Sequence, residues 1–118
     1  MKIASHNKTK NPIDSTNTEF RGLLHTSYED LVTVFGEPLD GDGYKTDVQW
    51  KLEIFTNSKK TYIGRIYNYK NGKNFLGDKG FENENIDTWL VSSSGINAIP
   101  YIEKYLERRM KSLKPKVA

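Results

Sequence analysis

A chain of 118 residues with a formal net charge of +3 has room for one domain, and at that size a single core suffices without covalent staples. It holds no cysteine, which excludes disulfides, thiolate metal sites and cysteine nucleophiles together. No apolar run approaches the roughly 18 residues of a membrane span, and Met1–His6 lacks the apolar stretch of a signal peptide, so the expectation is a soluble, cytoplasmic protein without membrane contact.

Charge is unevenly placed. From Lys104 onward six basic residues (Lys104, Arg108, Arg109, Lys111, Lys114, Lys116) face Glu107 alone, and the first ten residues add Lys2, Lys8 and Lys10 with no acid. Asn11 to Glu103 then carries nine basic and fourteen acidic residues. An acidic middle with basic ends places any nucleic-acid contact on the last helix and the tail, with Arg108, Arg109 and Lys111 as its candidate residues.

Residues 1–18 are polar and aperiodic and are expected to form a flexible arm, followed by one domain over 19–113 and a basic tail over 114–118. Phe20–His25 predicts a short strand. Thr26-Ser27-Tyr28-Glu29 has the spacing of a capping box, with Thr26 as cap and Glu29 reaching back. Tyr28, Leu31, Val32 and Phe35 follow on one helical stripe, ended by Gly36 and Pro38. After the glycine-rich Asp40–Thr46, the alternation of Val48, Trp50, Leu52 and Ile54 predicts a strand over Asp47–Phe55, with Trp50 in the core.

Asn57–Lys60 is a hairpin-length turn, and Thr61–Lys70 is the return strand. Asn71–Asn85 is expected to be a long mobile loop. A fourth strand over Ile86–Ser92 places Trp89 in the core, and Ser92–Gly95 is expected to be a polar loop. A helix follows from Asn97 with Pro100 in its first turn and Ile99, Ile102, Leu106, Met110 and Leu113 on its inner stripe. The order β-α-β-β-β-α predicts a two-layer α+β domain, its mainly antiparallel sheet covered on one face by two helices.

Asp40-Gly41-Asp42-Gly43 invites a calcium-loop reading, which fails because Lys45 and Lys51 stand where glycine and glutamate are needed. The only histidines, His6 and His25, do not make a metal site, and the serines at 92–94 lack a nucleophile-elbow pattern. The expectation is a non-enzyme with no cofactor and no metal. The uncovered sheet face gathers Lys51, Phe55, Arg65, Tyr67 and Tyr69, a mix of rings and cations suited to a protein partner, to a second copy in a homodimer, or to a stacked base. The loop 71–85 is the other candidate surface.

At Phe35-Gly36-Glu37-Pro38, Gly41–Thr46, Trp50 and Ile66–Lys70 the chain resembles a family of small accessory proteins encoded by bacteriophages and related viruses, over about Phe20 to Tyr105. It departs from that pattern where Ser92-Ser93 stand in place of two glycines. The resemblance carries no catalytic motif. It implies a viral accessory protein that binds a host protein in the cytoplasm of the infected cell, as a counter-defence or host-takeover factor. Nucleic-acid or nucleotide binding is the alternative.

Overall fold

A computed structural model describes residues 2–6 and 15–113. Strands β1 (Lys2–Ser5), β2 (Glu19–His25), β3 (Leu39–Asp40), β4 (Val48–Phe55), β5 (Thr61–Tyr67) and β6 (Thr88–Ser93) form one antiparallel sheet in the order β1-β4-β5-β6-β2, with β3 also paired to β4. Three helices complete an α+β fold: α1 (Tyr28–Phe35), the short α2 (Lys73–Leu76) and α3 (Ile99–Leu113).

The core is written by the alternation of β4. Val48, Trp50, Leu52 and Ile54 are buried, and they pack with Leu24, Ile66, Trp89 and Val91 from neighbouring strands and with Leu31, Phe35, Ile102 and Leu106 from α1 and α3. Trp50 and Trp89 meet edge to face, their ring centroids 5.3 Å apart. Each indole N–H also reaches the backbone at one end of α1: Trp50 donates to the Gly36 carbonyl at 2.8 Å and Trp89 to the Thr26 carbonyl at 3.0 Å. The two tryptophans thus bracket the helix and fix its position on the sheet.

Several expectations are corrected. Lys2–Ser5 belongs to the sheet, with Ile3 buried opposite Ile54, because it covers the edge of β4 that β3 leaves free; the remainder of the expected arm falls mainly on residues 7–14, outside the described residues, as does the tail over 114–118. The cap of α1 is Ser27, whose hydroxyl accepts from the Asp30 amide at 3.0 Å. Thr26 is unavailable for that role because its backbone is still in the sheet layer, donating to Asp87 O at 3.0 Å and accepting from Trp89.

Ser92 and Ser93 continue β6 instead of forming a loop. Ser93 Oγ donates to Ile96 O and accepts from Ala98 N at 3.2 Å and Arg21 Nε at 3.2 Å, so it fastens the strand to the start of α3. The inner stripe of α3 ends sooner than its periodicity predicts: Ile102 and Leu106 are buried, whereas Leu113 is 48% exposed where the helix runs past the sheet.

The expected mobile loop 71–85 carries α2, two 3₁₀ turns and a bridge between Gly72 and Phe81. Its anchor is Asn68, where β5 has already ended, one residue beyond Tyr67. The Asn68 side chain is fully buried and bonds Asp47, Val48 and Asn71. Gly72 packs so closely beneath Asp47 that a Cβ would lie 2.2 Å from the carboxylate. Asp47 in turn accepts the Asn74 amide at 3.1 Å, so one carboxylate ties the start of β4 to both sides of the loop.

Candidate interaction surface on the open sheet face

Residues alternating with the core row of β4 point to the uncovered face. Reading across the ladder pairs, one row runs Leu23, Leu90, Tyr67, Gln49 and the next runs Phe20, Ser92, Arg65, Lys51. Phe20 enters this face only because β2 carries a bulge between Phe20 and Gly22. Simple alternation puts Phe20 with Leu24 in the core; the extra residue, Arg21, rephases the strand, and Arg21 turns to Ser93, donating to its carbonyl at 3.1 Å. Gly22 takes φ +146° at this point, and Ile99 of α3 fills the space a side chain would need. Phe20 and Leu23 are left 59% and 48% exposed.

Arg65 forms the centre of the face. Its guanidinium carbon lies 3.9 Å from the centroid of the Tyr67 ring, and its Nε donates to Gln49 Oε1 at 2.7 Å. Burial pushes the guanidinium below the ordinary arginine value, while Tyr67 and Asp42 act in the opposite direction; an arginine remains a cation under such a shift. Tyr67 beneath it is only 9% exposed, and its hydroxyl pairs with Ser92 Oγ at 3.1 Å. The ring expected to meet a partner is therefore shielded by Arg65, which is the group that presents itself.

Lys51 and Phe55 share the face and are half-buried, with Lys2 Nζ 5.8 Å from the Phe55 ring centroid. His6 and Glu53 meet there at 3.1 Å. Tyr69 is not part of this surface. It lies beyond the end of β5 and joins a separate exposed group at one end of the sheet, where Lys70 Nζ lies 5.3 Å from the Tyr69 ring and 5.6 Å from that of Phe75, itself 5.3 Å from Tyr44. The structure thus gathers Lys51, Phe55, Arg65 and Tyr67, separates Tyr69 from them, and adds Phe20, Leu23 and Leu90. Sequence alternation missed Phe20 because a bulge has no strong local signature beyond its glycine.

The loop between β3 and β4 is organised by Asp42, whose Oδ1 accepts the amides of Tyr44, Lys45 and Thr46 at 2.8, 2.9 and 3.0 Å. The amides of Thr46 and Tyr44, aided by Lys45 and Arg65, hold this carboxyl below its ordinary value of 3.8 against the opposing effect of burial. A depressed carboxyl stabilises the folded chain at pH above 3.8 and loses that contribution as the pH falls through its folded value. Asp42→Ala should therefore speed hydrogen exchange at Tyr44, Lys45 and Thr46 at neutral pH. The difference in melting temperature from the unaltered protein should shrink in acid; a difference that grows in acid would contradict this role.

Of the three residues assigned to nucleic acid, Lys111 is paired with Glu107 at 3.1 Å, whereas Arg108 and Arg109 are exposed along α3. Among the described residues no group of three or more histidine, cysteine, aspartate or glutamate side chains could hold a metal ion. No helix among them is long and apolar enough to cross a membrane. No family model matches the chain, and no curated protein matches it. The phage or viral identity implied by the motif resemblance, and the host-directed role that came with it, is overturned by that result and is not carried further.

Proposed function

We propose that this is a non-enzymatic binding protein that seats a protein partner on the open face of its sheet. The observation that carries the reading is the patch formed by Phe20 and Leu23 on the edge strand, continuous across the ladder with Leu90 and with Arg65 stacked on Tyr67. An uncovered antiparallel face ordinarily alternates to polar side chains. Two large apolar groups on one strand, with a half-buried arginine one strand beyond β6 on the same face, match the anchor-and-arginine make-up of protein interfaces. The chemistry selects a partner surface that is apolar at its centre, with a carboxylate placed to reach Arg65 and Lys51.

The test is Phe20→Ser combined with Leu23→Ser. Both side chains are largely in solvent, so the melting temperature should change little, while affinity capture from cell extract, or self-association by analytical ultracentrifugation if the partner is a second copy, should be lost. Tyr67→Ser is the wrong probe, since it removes a buried ring and its bond to Ser92. A folded Phe20/Leu23 variant that retains every association of the unaltered protein would refute the open face as the binding surface.

A further inference from the structure

On the other layer of the molecule, α3 and the β4–β5 turn enclose a groove of about 550 Å³ lined by Asn57, Pro100, Tyr101, Lys104 and Arg108. Lys104 and Arg108 are four residues apart on one helix, so they emerge on the same side. Neither makes an ion pair among the described residues, and no carboxylate lines the groove. Glu107, the carboxylate three residues from Lys104, is occupied by Lys111 at 3.1 Å.

The opposite wall is held in one shape. Lys60 O accepts from the Thr56 amide at 3.1 Å and the Thr56 hydroxyl at 3.0 Å, and Thr56 O accepts from the Lys59 amide at 3.2 Å. This turn carries Asn57 into the groove and brings two more exposed cations, Lys59 and Lys60, with no acid between residues 56 and 60. Tyr101 packs one part of its ring against the core and presents another to the groove.

Cations without a lining carboxylate, an amide donor and a ring in one groove are the groups that hold a phosphate and a stacked base. The exposed Lys59 and Lys60 on the same turn as Asn57 add cations beside the groove, more than a single phosphate can engage. We propose that this groove binds the phosphate backbone of a nucleic-acid strand, with Lys104 and Arg108 on phosphates and Tyr101 against a base, a site separate from the open sheet face.

The experiment uses the full chain and a labelled oligothymidylate of about 20 nucleotides in fluorescence anisotropy, with salt varied from about 50 to about 200 mM. Lys104→Gln with Arg108→Gln should weaken binding at least about tenfold at the low-salt end and reduce the slope of log affinity against log salt by about 1.4, the loss of two single-strand phosphate contacts. Lys79→Gln, on a distant exposed turn, should change neither, and the charge-keeping pair Lys104→Arg with Arg108→Lys should retain binding. Absence of binding by the unaltered protein, or equal loss in Lys79→Gln, would overturn the proposal. So would binding to vesicles of phosphatidylserine in place of the oligonucleotide.

Discussion

Trp50→Ala should cost about 3–5 kcal/mol of folding stability, a large part of what a domain of this size possesses. The side chain has no exposure and contacts the rings of both Trp89 and Tyr28, at 5.3 and 5.9 Å between centroids. Its removal leaves a cavity between sheet and helix that rigid strands do not collapse into. It also deprives the Gly36 carbonyl of its indole donor at the C-terminal end of α1. Denaturant titration should show the midpoint falling with an unchanged slope. Trp50→Phe, which keeps a ring and loses only volume and the indole N–H, should cost distinctly less. A loss below about 1 kcal/mol for the alanine variant would mean that this side of the sheet is not the packed one.

Asn68→Ala should cost about 3 kcal/mol although it deletes only a small amide, because the buried amide joins the start of β4 to the end of β5 and to the loop that follows. Its Oδ1 accepts from the Asp47 and Val48 amides at 2.8 and 3.2 Å, and its Nδ2 donates to Asp47 Oδ1 and Asn71 Oδ1, both at 3.0 Å. With the side chain gone, two backbone donors at the start of β4 lose their acceptor inside the protein. The Asp47 carboxylate loses one of the donors that hold it over Gly72. Hydrogen exchange should therefore accelerate first at Asp47, Val48 and the segment that follows Asn71, ahead of global unfolding. Asn68→Asp is expected to be no rescue at neutral pH, since it sets a second carboxylate against Asp47. Protection at Asp47 and Val48 that survives in the alanine variant would show that the loop is held by other means.

What was legible in the sequence is what repeats along it. The stripe Tyr28, Leu31, Val32, Phe35 and the alternation from Val48 to Ile54 each state their buried side several times over, and both tryptophans fell on that side as expected. Features carried by a single residue were not legible. The cap moved by one position because Thr26 is recruited by Trp89, a partner 63 residues away. Asn68 looked like one more polar residue in a strand, yet its four bonds end β5 and order the loop. Phe20 was expected only to begin a strand, and its place on the open face was not legible because a bulge changes the phase without changing the composition. The cations Lys51 and Arg65 were assigned to the correct face, but the ring beneath Arg65 was read as exposed, since stacking between neighbours along one strand leaves no periodic trace.

The ladder order also sets a timetable for synthesis. β4 and β5 are joined by a short turn, whereas β2 lies beside β6, with His25 opposite Thr88 and Glu19 opposite Ser93. Every pairing in that ladder waits for more than sixty further residues. At a ribosomal rate of about 5–20 residues per second that is a wait of roughly 3 to 12 seconds. During it, the strand bearing Phe20, Leu23 and Leu24 has neither its neighbour nor its covering helix α3, so this segment is the one for which a nascent-chain chaperone would compete.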